Sequence, residues 1–153
     1  MISVRRATGT DAAAVASLLK ELGYSMTPTQ MADKIATLSK SPADAVFLAV
    51  EGADVCGCLS AHVTELLHAP GRIGRITALV VADRVRRKGI GRLLDEAATR
   101  YFEDCGCVKI EVTSGMHRAD AHSFYEKRGF REYRRRYVRD IATELLVRAD
   151  RER

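Results

Sequence analysis

The sequence predicts an α/β domain, one mixed sheet of seven strands with four helices packed on it. Three observations carry that expectation. The chain has 153 residues, the size of one domain with a core of its own. Hydrophobic residues make up 46% and charged residues 29%, a globular rather than a disordered balance. Apolar stretches of strand and helix period follow one another in the order β-α-α-β-β-β-α-β-α-β-β. No repeat, low-complexity tract or linker interrupts them.

Ile2 and Val4 alternate with polar neighbours as a short first strand. Thr10 and Asp11 open a helix with Val15, Leu18, Leu19 and Leu22 on its apolar face, and Gly23 stops it. Thr27 as N-cap, Pro28 at the first helical position and Gln30 as the capping-box partner start a second helix, with Met31, Ile35 and Leu38 inward. Residues 46–50 and 55–63 read as a hairpin around the turn Glu51-Gly52-Ala53-Asp54. Pro70 and Gly71 lie in the loop before a strand over 73–81. A helix runs from the glycine-bearing segment after it to Asp104, with Ile90, Leu93, Leu94, Ala97 and Tyr101 inward and Gly106 as its breaker. Val108, Ile110 and Val112 alternate as the next strand. A helix over 119–128 ends at Gly129, and 130–133 and 137–141 read as two closing strands. The expected domain is 1–141, with 142–153 a polar C-terminal tail.

The charge balance is +5, from 25 Lys and Arg against 20 Asp and Glu, which suits an anionic partner without naming one. Arg84, Arg86, Arg87, Lys88 and Arg92 form one cluster with no acid inside it. Arg128, Arg131, Arg134, Arg135, Arg136 and Arg139 form another, diluted by Glu132. The second reads as a solvated face. Few aromatics interleave with it and no reader motif is present, so no nucleic-acid partner is expected. No apolar run reaches the length of a membrane span, so no membrane partner is expected either. The opening MISVRRATGTD has no apolar core behind its charges, so a secretory signal is not expected. The expectation is the cytoplasm, with reduced thiols. Cys56-Gly57-Cys58 and Cys105-Gly106-Cys107 are C-x-C pairs, not C-x-x-C knuckles, so no metal is expected.

Two segments carry chemistry. In the first, the apolar strand Leu79-Val80-Val81 runs into Ala82-Asp83-Arg84-Val85-Arg86-Arg87-Lys88-Gly89-Ile90-Gly91-Arg92. The first turn of a helix holds unpaired amide N–H groups at its positive end. Glycines let the backbone close on an anion, and phosphate is the natural one. No GK[ST] ending follows, which excludes a Walker loop, and Leu94 stands where a dinucleotide fingerprint needs its third glycine. In the second segment, Ala121 and Tyr125 share a helix face one turn apart, followed by Gly129-Phe130.

Together these segments resemble the GNAT superfamily of N-acetyltransferases. R-x-x-G-x-G stands as Arg86-Arg87-Lys88-Gly89-Ile90-Gly91, and A-x-x-x-Y-x-x-x-G-F as Ala121, Tyr125 and Gly129-Phe130. The resemblance spans about Ile2 to Ile141. It implies the GNAT (acyl-CoA N-acyltransferase) fold, a central mixed, mostly antiparallel sheet of about seven strands flanked by four helices. It also implies acetyl-CoA as acyl donor. The pyrophosphate would meet the backbone of Arg87, Lys88, Gly89, Ile90, Gly91 and Arg92, with arginine side chains such as Arg86 adding charge-assisted bonds. The pantetheine amides would pair with the free edge at Leu79, Val80 and Val81. The N–H near Leu79 would polarise the thioester carbonyl. Ser114, Ala121 and Phe124 would lie along the same arm, and Tyr125 would be the general acid for the thiolate.

Relatives often carry a glutamate two residues before that leucine, where this chain has Thr77. His62, Glu65 and Glu111 are then the candidate bases, with water as the alternative. Arg118 stands where relatives have asparagine. Tyr24, in the loop between the first two helices, and Glu65 are expected to face the acceptor. The expected reaction is acetyl transfer to a primary amine of a small molecule. The alternatives are a protein lysine or N-terminus as acceptor, and a CoA-binding sensor without turnover. Two closing strands near a C-terminus are where this fold meets a partner copy, so a homodimer is compatible with the resemblance.

Overall fold

The structure, a computed structural model, describes residues 1–113 and 119–141. Contacts gather into two units, Met1–Val112 and Thr113–Arg153. The first unit is built on five strands: β1 Ile2–Arg6, β2 Asp44–Glu51, β3 Asp54–Glu65, β4 Arg72–Val81 and β5 Cys107–Val112. They lie side by side in chain order. The first four pair antiparallel and β5 runs parallel to β4. Three helices belong to this unit: α1 Ala12–Lys20, α2 Pro28–Ser39 and α3 Ile90–Asp104. A parallel neighbour cannot be reached by a tight turn, so α3 is the crossover from β4 to β5.

Local chemistry accounts for the boundaries. The Thr27 side chain accepts from Gln30 N, and the Gln30 side chain accepts from Thr27 N at 2.9 Å, so both halves of the capping box of α2 form. Gly23, at φ +93°, closes α1 in a Schellman motif: Gly23 N donates to Lys20 O and Tyr24 N donates to Leu19 O. That geometry sets Tyr24 directly after the helix. The start of α1 is tied to the end of β1. Arg5 donates to both Asp11 oxygens at 2.8 Å, and Thr8 N donates to Asp11 Oδ2.

The core has two layers. Leu48 opposes Cys58 on the sheet face away from α3, and Val15, Met31 and Ile35 of α1 and α2 are buried too. On the other face α3 packs against the sheet, and Leu59, Ile76, Ile90, Leu94 and Phe102 are all but fully buried. Two strand glycines permit that approach. A Cβ on Gly57 would stand 3.0 Å from Ile90 and Leu94, and one on Gly74 would fall on the Phe102 ring.

Two bulges shift the ladders. One falls between Ala49 and Val50 opposite Cys56, the other between Ser60 and Ala61 opposite Thr77. In the second, Ser60 opposes Ala78 while Ala61 opposes Ile76, so Thr77 is the extra residue of β4.

In the second unit, α4 spans Ala119–Lys127. The closing strands expected at 130–133 and 137–141 do not form, and the described residues hold five strands rather than seven. Pairing those stretches would crowd Arg134, Arg135 and Arg136 into the three-residue turn between them, where like charges repel. Residues 131–141 are instead exposed throughout. The Arg131 and Arg134 guanidinium groups each stack 4.8 Å from the Tyr133 ring centroid. The expected tail, 142–153, lies outside the described residues, as do Ser114 and Arg118.

Candidate functional site

β4 is the element around which the site is built. Its parallel ladder with β5 ends at the pair Ile76 and Val112, while β4 continues to Val81. No residue of β5 pairs with Thr77, Ala78, Leu79, Val80 or Val81. Strand alternation decides where those backbone groups point. Ala82 N donates to Cys56 O at 2.9 Å, so Ala82 faces β3. Two and four residues back, Val80 and Ala78 face β3 as well. The N–H and C=O groups of Leu79 and Val81 therefore face the edge that β5 has left.

That edge leads into a basic corner. A single 3-10 turn over Asp83–Val85 is followed by Arg87 at φ +67° and Gly89 at φ +77°. No described residue lies within 4 Å of where a Gly89 Cβ would be, so the glycine is favoured by backbone conformation and not by crowding. Leu93 N makes the first bond into the new helix, to Gly89 O at 3.1 Å. The amides of Ile90, Gly91 and Arg92 precede it at the positive end of α3.

The cations of this corner are not equivalent. Arg86 pairs with Asp83 at 2.8 Å and Arg92 with Glu96 at 2.8 Å. Arg84 donates to Val55 O at 3.3 Å. Arg87 and Lys88 are exposed and have no partner among the described residues. The cluster that holds no acid in sequence is thus flanked by Asp83 and Glu96, which neutralise part of it. Arg84, held only by a neutral carbonyl, and the unpartnered Arg87 and Lys88 are the cations of this corner with no acid partner among the described residues.

The remaining expected residues are distributed as follows. Tyr24 is half-buried in the loop between α1 and α2. Glu65 ends β3 and pairs with Arg72 at 3.1 Å, at the opposite end of β4 from Val81. Seven residues of strand, about 23 Å, separate Arg72 from Leu79. Glu65 and Arg72 help line a separate cleft of about 320 Å³ with Pro42, Ala43, Val63 and Cys105. Glu111 is held by Arg75 at 3.0 Å and is 41% exposed.

Ala121, Phe124 and Tyr125 are half-buried on α4, in the second unit. The end of α4 explains the spacing of its motif. Gly129 N donates to Glu126 O and Phe130 N to Tyr125 O, a second Schellman motif with Gly129 at φ +87°. The rings of Phe130 and Tyr125 meet edge to face at 5.7 Å. The glycine and phenylalanine thus fix Tyr125 on its helix.

One cluster escaped sequence reasoning. His62 Nδ1 lies 2.7 Å from Asp44 Oδ1, and Nε2 lies 2.9 Å from Ser60 Oγ and 2.8 Å from Thr77 Oγ1. The sequence offers His62 as one of three candidate bases but does not give its partners. Ser60 comes from its own strand, whereas Asp44 of β2 and Thr77 of β4 are brought to it by the two bulges. The four cysteines are free, Cys56 and Cys58 buried, and burial pushes the Cys58 thiol up to about 12. Among the described residues no helix is long and apolar enough to cross a membrane.

Residues 13–130 match the model of the Acetyltransferase (GNAT) family. Over 94 residues the chain is 31% identical to the aminoalkylphosphonate N-acetyltransferase of Salmonella typhimurium, a match covering 61% of this chain and 61% of that relative's length. A transcriptional regulator from Bacillus halodurans C-125 superposes with a TM-score of 0.84 at 21% identity, over 92% of this chain and 100% of its own. An aminoglycoside N-acetyltransferase in complex with CoA superposes with a TM-score of 0.81 at 16% identity, over 93% and 96%. These likenesses show a shared fold. The forked strand, the left-handed glycine at the head of α3 and the family match agree: this chain belongs to the GNAT acetyltransferase family.

Proposed function

We propose that the chain transfers an acetyl group from acetyl-CoA to a primary amine of a small molecule by direct attack. The observation that carries this reading is the unpaired β4 edge at Leu79 and Val81 running straight into the Gly89 corner. That arrangement matches an extended donor with amides at one end and a diphosphate at the other. Acetyl-CoA supplies an activated acyl group and a good leaving thiolate.

The chain's own residues would do the rest. Leu79 and Val81 hold the amides of the arm by strand addition. The Leu79 N–H stabilises negative charge on the carbonyl oxygen as the amine adds. The amides of Ile90, Gly91 and Arg92, with Arg87 and Lys88 beside them, hold the diphosphate. By its place in the family motif, Tyr125 gives its proton to the departing sulfur. A phenol of ordinary pKa about 10 matches a thiolate of similar basicity.

The likeness to an aminoalkylphosphonate N-acetyltransferase supports a small, anion-bearing amine as acceptor. Tyr24, in the loop after α1, is the acceptor contact we assign. Four free cysteines suit a reducing compartment, and we place the reaction in the cytoplasm. The test is release of CoA thiol from acetyl-CoA across a panel of amines, with 2-aminoethylphosphonate, an aminoglycoside and a lysine peptide as its arms. Turnover with the small amines is expected. Turnover with the peptide alone would transfer the assignment to protein acceptors. CoA binding without turnover on any amine would leave a sensor.

A further inference from the structure

The sheet face opposite α3 carries the cluster of Asp44, His62, Ser60 and Thr77. Gly57 faces α3, and β3 alternates regularly from Gly57 to His62, so His62 points to the other face. A carboxylate only accepts, so the 2.7 Å contact with Asp44 Oδ1 puts a proton on His62 Nδ1. In the neutral ring, Nε2 is then a bare lone pair, and the Ser60 and Thr77 hydroxyls both lie within donating distance of it. The side chains of His62 and Asp44 are 25% and 24% exposed, whereas Thr77 is an exposed residue. Thr77 is also the bulged residue of β4, the first one past the last pair with β5, and two residues before Leu79. The chain of hydrogen bonds thus runs from a shielded carboxylate to one hydroxyl at the fork.

We propose that His62 is the proton acceptor for the incoming amine, reached through the Thr77 hydroxyl, with Asp44 holding its tautomer. The inference rests on the acetyl-transfer reading above. The acceptor arrives as an ammonium. It gives one proton to Thr77 Oγ1 as that hydroxyl passes its own to His62 Nε2. The freed lone pair forms the C–N bond at the thioester carbon, and the C–S bond breaks. The second proton lost from nitrogen replaces, through solvent, the one that sulfur takes up. Asp44 balances the imidazolium until its proton leaves to water. Ser60 is the alternative donor to Nε2 and keeps the ring satisfied between turnovers. Arg75, the cross-strand neighbour of His62, is turned to Glu111 at 3.0 Å and leaves the relay uncrossed.

The experiment compares steady-state kinetics of wild type, His62→Ala, His62→Asn, Thr77→Val and Thr77→Ser on acetyl-CoA with 2-aminoethylphosphonate or whichever amine the wild type turns over fastest. The wild-type rate is measured first, so failure of the acetyl-transfer reading is seen separately. CoA affinity by calorimetry checks that each variant is folded. His62→Ala is expected to lower kcat by about 100-fold or more, with the KM for acetyl-CoA within twofold and partial recovery in added imidazole. His62→Asn, which keeps a donor for Asp44 but is not basic, is expected to lose as much. Thr77→Val is expected to follow the His62 variants, and Thr77→Ser to stay near wild type. A folded His62→Asn that keeps kcat within threefold overturns the proposal. So does a His62→Ala loss that imidazole does not relieve.

Discussion

Tyr125 carries the most specific claim at the scale of single residues. It is held on α4 by the Gly129 turn and by the edge of Phe130. Replacing it by phenylalanine removes one hydroxyl and leaves the ring packing. In the general-acid role proposed for it, Tyr125→Phe is expected to lower kcat by about 10-fold to 100-fold with CoA affinity kept, since only proton delivery would be lost. Unchanged turnover would remove Tyr125 from that role. The Arg5–Asp11 pair makes a separate, structural claim. Arg5 and the Thr8 amide hold the Asp11 carboxyl down to about 2. A depressed carboxylate stabilises the fold above its unfolded pKa, near 4, and that contribution fades as pH falls toward 2. Arg5→Ala is expected to cost about 1–2 kcal/mol near neutral pH, allowing for a half-exposed guanidinium. Thermal melts of the two proteins should converge between pH 4 and pH 2. A gap that stays constant across that window would contradict the assigned cause. The sequence singles out Tyr125 through its motif spacing. It could not show that His62 meets Asp44, because the simple register from the Glu51–Asp54 turn sets Asp44 opposite Ala61. The bulge at Cys56 moves the pairing by one residue.

Among the elements, those with strong local signals matched their expected places. The capping box started α2, the two Schellman glycines ended α1 and α4, and the hairpin formed around its turn. The closing strands failed because alternation alone could not weigh the repulsion among three successive arginines in the turn that would join them. The glycine-bearing turn before α3 was legible in the sequence, but the pairing of its charges was not. Asp83 and Glu96 lie outside the basic run and tie down Arg86 and Arg92. Two glycines separate conformation from crowding. Gly89→Ala meets no described neighbour and should cost about 1 kcal/mol of strain at φ +77°. It is expected to weaken CoA binding more than it lowers the melting temperature, because it re-aims the amides. Gly74→Ala would drive a Cβ into the buried Phe102 ring. It should destabilise by about 1–3 kcal/mol, as overpacking does, with a clear fall in melting temperature. A Gly74→Ala protein that melts like wild type would contradict the packing of α3 on β4.

For the whole molecule, a sheet whose fourth strand outruns its fifth presents unpaired amides on one line with a helix N-terminus. That geometry, rather than any side chain, is what the family resemblance and the structure share, and it was legible because Leu79-Val80-Val81 and the glycines of the corner stand next to one another in sequence. The bulge that frees Thr77 was not legible, since no glycine or proline marks it. The central claim is that this line of backbone groups receives a CoA ester. Calorimetric titration of CoA into the full chain tests it most directly. One molecule is expected to bind per chain, with an affinity that falls as salt is raised and that drops several-fold in Arg87→Ala and Lys88→Ala, whose charges have no partner among the described residues. Absence of binding heat at any temperature tried, with no shift in melting temperature at saturating CoA, would contradict it.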